Sequence, residues 1–448
     1  MSQPGVYAQA PNTASSATSL LPSSARGKQT VQAMFAQGPQ PSARGTPSPS
    51  NLKYSLSALG GYNIGGINGT GQVPSMAGNW GLVDSDTPSS AHTTTSYGDG
   101  SEWQLIFSDE FNTDGRMFYP GDDLYWEALN LHYWATNNME WYNPTAITTA
   151  NGSLEITLSE KQTHRLDYQG GMMSSWNKFC FTGGMVEMAV VLPGAPNIVG
   201  LWPAVWIMGN LSRAGYGASL EGTWPYTYKE CNVGTAPNQT LNGLPLAATT
   251  SSASNHLSRC TCPGGSHPGP IHSDGTYVGR STPKIEEGVS QSGQWAPFNE
   301  GYVWPDTSAN LIIPNPSISQ AMSVVTNTNQ DCYQTGTQCF SIYGIEYKPG
   351  FDDVYISWIA NGAVAWTINA TGVGADTATK ISARPVPQEP MYLLMNLGQS
   401  TNFSTVDTKH IPYPVTMHID YIRVYQPKDT INYGCDPKDF PTADYINQ

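Results

Sequence analysis

A sandwich of antiparallel β-strands is the fold class this sequence predicts, on three observations. Short runs alternate apolar with polar residues, an Asn-Gly pair sits between two of those runs, and no long stretch repeats its apolar residues at the helical period. The 448 residues, 39% of them apolar, are ample for the core such a fold needs.

Residues 1–57 are Ser, Pro, Ala, Gln and Gly with little apolar content, which cannot offset the entropy of ordering; they read as a disordered N-terminal tail. Residues 58–100 form an extended lead-in, first Gly-rich in "LGGYNIGGINGTGQVP" and then rich in Ser and Thr. The folded domain is expected over 101–428, opening at "SEWQLIFSDEFN". In "GSLEITLSE", Leu154, Ile156 and Leu158 take one face and Glu155 and Thr157 the other, as a half-buried strand requires. "GGMVEMAVVL", "DDVYISWIANGAVAWTIN", "MYLLMNLG" and "MHIDYIRVYQ" repeat the theme, and Asn361-Gly362 signals a two-residue hairpin. Between about 210 and 280 lies a long insertion dense in Cys, Gly and Pro, of the kind that is functional or disulfide-tied. Residues 429–448 form a C-terminal tail.

A net charge of −14 with only 20 Lys plus Arg gives no basic footprint, so nucleic acid and anionic polymers are not expected partners. With 13 Trp and 24 Tyr among abundant Gly, Ser, Thr and Asn, the composition has the look of a secreted carbohydrate-handling protein. Six sequons, at Asn68, Asn151, Asn210, Asn238, Asn369 and Asn402, are candidate glycosylation sites. Seven cysteines, at 180, 231, 260, 262, 332, 339 and 435, fit disulfides better than zinc, because Cys260-x-Cys262 lacks a partner pair; Cys332 and Cys339 could close a short loop. No calcium-loop spacing appears, and no metal or cofactor is expected. The N-terminus has no secretion-signal pattern, and the most apolar long window, from Met185, is interrupted by Glu187 and three prolines.

The run "FTGGMVEMAVVLPGAPNIVGLWPAVWIMG" resembles the central strands of glycoside hydrolase family 16; "WQLIFSDEFN", "PMYLLMNLGQS" and "MHIDYIRVYQ" resemble its first and last strands, in order. "LGGYNIGGINGTGQVPSMAGNWGLVDSDTP", "TWPYTYKECNVGTAPNQT", "CTCPGGSHPGP" and "GCDPKDFPTADYIN" narrow the resemblance to the fungal β-glucan-synthesis-associated proteins within it. It spans about residues 59–447. The resemblance implies a concanavalin-like β-jelly roll whose cleft takes a β-glucan or oligosaccharide, a role in building cell-wall β-1,6-glucan, and a place in the secretory pathway or at the cell surface. Trp202 and Trp206 match the cleft-lining motif; Trp141, Tyr142, Trp295 and Trp126 are further candidates, each weighed against burial in the core.

Family 16 chemistry uses a strand Glu-x-Asp-x-Glu or Glu-x-Asp-x-x-Glu, with the first Glu as nucleophile and the last as acid and then base, in a retaining displacement. The fungal flanks are present as "GRSTP" from Gly279 and "VSQSGQWAPFN" from Val289, but only "KIEEG" stands between them. Aligned from Pro283, Lys284 takes the nucleophile's place and Glu286 the Asp's, and the acid/base is absent. Glu286 and Glu287 are thus catalytic remnants at most; as neighbours on a strand they point to opposite faces, and a crippled site is expected. The alternative is a pair of exposed charges on a shortened loop. The resemblance also places a membrane-spanning helix ahead of "LGGxN", whereas "NLKYSLSA" runs straight into Leu59. Both gaps, between well-matched flanks, read as skipped or misassigned exons.

Overall fold

The computed structural model describes residues 81–216, 283–288, 290–294, 321–374, 383 and 385–447. The expected N-terminal tail, most of the insertion, Trp295, Asn68, Asn238 and three of the cysteines lie outside them. Two sheets make up the fold. The first runs β1 (Thr93–Thr95), β2 (Glu102–Asp109), β19 (Val415–Pro427), β10 (Gly184–Val191), β15 (Ser341–Lys348), β16 (Tyr355–Ala360) and β17 (Ala363–Asn369), with β7 (Ser153–Leu158) joining β19 and β6 (Ile147–Ala150) joining β7. The second runs β14 (Ala321–Val325), β13 (Ser290–Gln294), β12 (Lys284–Gly288), β11 (Leu201–Gly209), β18 (Met391–Gln399), β8 (Tyr168–Ser174), β5 (Glu140–Tyr142) and β4 (Leu131–His132); β3 (Glu127–Ala128) pairs with β8 and β9 (Cys180–Phe181) with β18.

Alternation decides which side chains meet between the sheets. From the first sheet come Phe107, Val186, Met188, Ile345, Trp358, Ile422 and Val424; from the second, Met173, Val205, Ile207, Leu393, Met395 and Leu397. Leu154, Ile156 and Leu158 of β7 are fully buried in this core, as their spacing requires. The Asn361-Gly362 hairpin forms between β16 and β17 with φ of 55° and 72°, the left-handed pair that a tight two-residue turn needs. Trp358 and Trp366, opposite each other on those strands, stack with centroids 4.0 Å apart.

The second sheet is apolar on its other face too, where Ala204, Trp206, Met208, Met172, Tyr392 and Leu394 form a separate cluster. That is why "MYLLMNLG" shows little polar alternation: the strand is covered on both sides. Both ends of the described chain are built into the fold. The sheet begins before residue 101, at β1, and the lead-in is held by Glu346, whose buried carboxylate accepts from Ser96 Oγ at 2.7 Å, Tyr97 N at 2.7 Å, Gly98 N at 2.9 Å and Tyr355 Oη at 2.5 Å. The C-terminal tail is tied back by a Cys180–Cys435 disulfide, with Gly434 N donating to Cys180 O at 2.8 Å. A second disulfide joins Cys332 and Cys339 across the expected short loop. Among the described residues, no helix is long and apolar enough to cross a membrane.

Candidate glycan-binding face

The outer face of the second sheet is set by the register of β11. Trp206 pairs with Leu394 on one side and with Glu286 on the other, and Leu394 pairs with Ser174, which pairs with Glu127. One transverse row therefore carries Glu127, Ser174, Leu394, Trp206 and the position of Glu286. Glu287 pairs instead with Val205, a residue of the inter-sheet core. Lys284 pairs with Met208, its ammonium 4.4 Å from the centre of the Trp206 ring. An ammonium over an indole is attracted by the ring's electrons but cannot accept a glycosyl group from a sugar as a carboxylate does.

The structure separates the aromatic candidates. Trp202 is half-buried and stacks on Phe403 with centroids 3.9 Å apart, an aromatic pair at the edge of the apolar cluster. Trp141 is also half-buried, against His164 at 4.1 Å, with Nε1 donating to Asn130 Oδ1 at 2.7 Å. Of the other cleft candidates, Trp206 is 4% and Tyr142 3% exposed, so in this structure they underlie the face. Trp206 Nε1 is engaged by Asn396 Oδ1 at 2.8 Å. Trp126 is a core residue, fully buried with Nε1 donating to Asp109 Oδ2 at 2.9 Å.

Beneath Trp202 lies a carboxylate that the sequence reading missed. Trp202 pairs with Gly398, and Glu140 presses so close to Gly398 that a Cβ there would run into its Oε1. Glu140 is fully buried; Oε1 accepts from Asn138 Nδ2 at 2.6 Å and Oε2 from Gln399 N at 3.0 Å. Asn138 Nδ2 also reaches Tyr142 Oη at 2.9 Å. The available signal was the spacing of two in "NNMEWY", which puts Glu140 and Tyr142 on one side of β5 with Asn138 just ahead of it. The other buried carboxylate of this face, Glu127, accepts from Arg213 NH2 at 2.7 Å.

Desolvation lifts the Glu140 carboxyl to about 7, against the lowering effect of its hydrogen bonds. The sign follows from proton linkage. Between about 4.5 and about 7 the native state holds a proton that the unfolded chain has lost, so stability falls as pH rises through that window. Urea unfolding at pH 5 and pH 8 is expected to show the native protein losing up to about 3 kcal/mol more than Glu140→Gln across that range.

The sequons differ in the same way. Asn151 is exposed, and Asn369 and Asn402 are half-buried. Asn210 is fully buried in the folded chain, with Nδ2 near Thr442 Oγ1 at 3.1 Å, Cys435 O at 3.3 Å and Asn177 Oδ1 at 3.3 Å. Among the described residues no cluster of three His, Cys, Asp or Glu side chains is placed to hold a metal.

Comparison with known proteins adds the relationship. The chain is 42% identical to the β-glucan synthesis-associated protein KRE6 of Saccharomyces cerevisiae, over 82% of this chain and 52% of that protein. It is 43% identical to SKN1 of Candida albicans, over 82% of this chain and 51% of that one. It thus spans about half the length of these curated relatives. Among solved structures, it is similar to the catalytic domain of a Thermotoga petrophila endo-1,3-β-glucanase, with TM-score 0.43, 17% identity and coverage of 73% of this chain and 98% of that one. The endo-β-1,3-glucanase of Pyrococcus furiosus is similar at TM-score 0.43 and 18% identity, over 75% and 98%. The family description "Beta-glucan synthesis-associated protein SKN1/KRE6/Sbg1" matches residues 50–448, and the chain belongs to that family.

Proposed function

We propose that this chain serves fungal cell-wall β-1,6-glucan assembly by engaging a β-glucan chain on the outer face of its second sheet, with little or no glycoside cleavage or transfer. The reading rests on Lys284, which the flanking family motifs align with the nucleophile; it pairs with Met208 and lies over Trp206. An aromatic, partly open face beside a disabled reaction centre supports binding more than turnover. Family membership supports the substrate class and a setting in the secretory pathway or at the cell surface, where the two disulfides are stable and Asn151, Asn369 and Asn402 would carry glycans.

Retention on insoluble β-1,6-glucan and β-1,3-glucan tests this. The purified chain is expected to be retained on the glucan, and Trp202→Ala to weaken retention by about tenfold, the worth of one ring contact of about 1.4 kcal/mol. Trp202→Phe should keep most of it. Passage of the native chain through every glucan column unretained would sink the proposal.

A further inference from the structure

We infer that Asn210 is a latent N-glycosylation acceptor that the C-terminal tail occludes, so that a glycan on Asn210 and closure of the Cys180–Cys435 disulfide are mutually exclusive. The sequon Asn210-Leu211-Ser212 is complete in sequence, yet all three residues are buried, Asn210 and Ser212 fully. The tail does much of the covering. Thr442 Oγ1 and Cys435 O both face the Asn210 amide, and Thr442 Oγ1 in turn donates to Cys435 O. From the other side Asn210 Oδ1 accepts from Asn177 N at 2.9 Å, and its carbonyl accepts from Trp176 Nε1 at 3.0 Å. Ser212 O accepts from Tyr392 Oη at 3.0 Å.

Transfer needs what this arrangement withholds. The Asn210 Nδ2 must attack C1 of the first sugar of a polyprenyl-pyrophosphate-linked oligosaccharide. The C1–N bond forms as the bond from C1 to the pyrophosphate oxygen breaks; the amide loses one proton and the lipid pyrophosphate departs. In the folded molecule Nδ2 faces three acceptors and a packed wall, with no room for a sugar. The covering residues lie 225 and 232 positions further along the chain, so the acceptor is synthesised long before its cover. Once attached, a glycan would keep Cys435 from reaching Cys180, because the disulfide places the Cys435 backbone against the same amide.

The inference uses the secretory-pathway reading only for its setting, and the test keeps the two apart. The full chain is delivered to the lumen of a glycosylating yeast host behind a cleavable signal, with delivery confirmed by signal removal. Unreduced peptides are then mapped by mass spectrometry after endoglycosidase trimming to one sugar. Molecules with the closed Cys180–Cys435 disulfide are expected to carry an unmodified Asn210. Cys435→Ser is expected to raise Asn210 occupancy about tenfold or more, as loss of a long-range cross-link loosens the tail. Thr442→Val, which keeps both cysteines, should give a smaller rise, confined to molecules in which Cys180 and Cys435 are unjoined, so the result does not rest on a variant that fails to fold. A glycan on Asn210 in a disulfide-closed molecule, or unchanged occupancy in both variants, would overturn the inference. The secretory-pathway reading is judged separately, on Asn151, Asn369 and Asn402: a delivered chain that carries no glycan on any of them would count against that reading whatever Asn210 carries.

Discussion

β-Glucan oligomers incubated with the purified chain are expected to come back intact, and Lys284→Glu is expected to leave that outcome unchanged. A retaining mechanism needs two carboxylic groups about 5–5.5 Å apart on one face, one to attack and one to donate and then remove a proton. On β12 the positions on the Trp206 face are Lys284, Glu286 and Gly288, opposite Met208, Trp206 and Ala204. Restoring a carboxylate at 284 supplies the nucleophile's place but no acid/base further along, where Gly288 ends the strand. General acid–base assistance alone is worth about 10²–10⁴ in rate, so the variant should stay at least that far below an intact pair. Neither of the face's buried carboxylates can substitute without breaking its own bonds, Glu127 to Arg213 and Glu140 to Asn138 and Gln399. Reducing-end release by the native chain, abolished by Glu286→Gln, would show that the strand is a working site and reverse this conclusion.

Arg116→Met is the substitution expected to cost most in stability. The guanidinium gives NH1 to Asp109 Oδ1 at 2.7 Å and NH2 to Asp109 Oδ2 at 2.9 Å and Asp123 Oδ2 at 2.8 Å, and both carboxylates are buried. Their remaining capacity is filled by Phe111 N, Trp126 Nε1, Tyr125 N and Trp126 N. Removing the cation strands two negative charges beside the core, a change that costs about 3–5 kcal/mol. Desolvation already raises the Asp109 carboxyl, and losing Arg116 removes the main effect opposing it. The native variant should therefore take up a proton more readily than its unfolded chain, and the loss should shrink as pH falls. Denaturant unfolding of the two proteins at neutral and acidic pH checks both parts, and a loss below about 1 kcal/mol would mean that water reaches the pair.

Much of this protein was legible before any fold was seen, because some physics is local. A period of two fixes which residues of β7 share a face, Asn361-Gly362 can turn the chain without steric cost, and Cys332 and Cys339 lie seven residues apart and so meet within one loop. The expectation of an impaired site at Lys284 was also local, since it rests on two matched flanks and the five residues between them. What the sequence left open depended on partners far along the chain. Trp202 and Trp206 read alike on one strand, but Asn396 and the neighbouring cluster bury one while the other keeps an open edge against Phe403. Glu140 is an ordinary glutamate until Gly398 and Gln399, some 260 residues later, close over it. Asn210 is an ordinary sequon until the tail arrives. Sequence alone determined the strands and the tight turn, because these follow from neighbours. Only the tertiary structure decided exposure, ionisation and which acceptors stay open, because those follow from what packs on top.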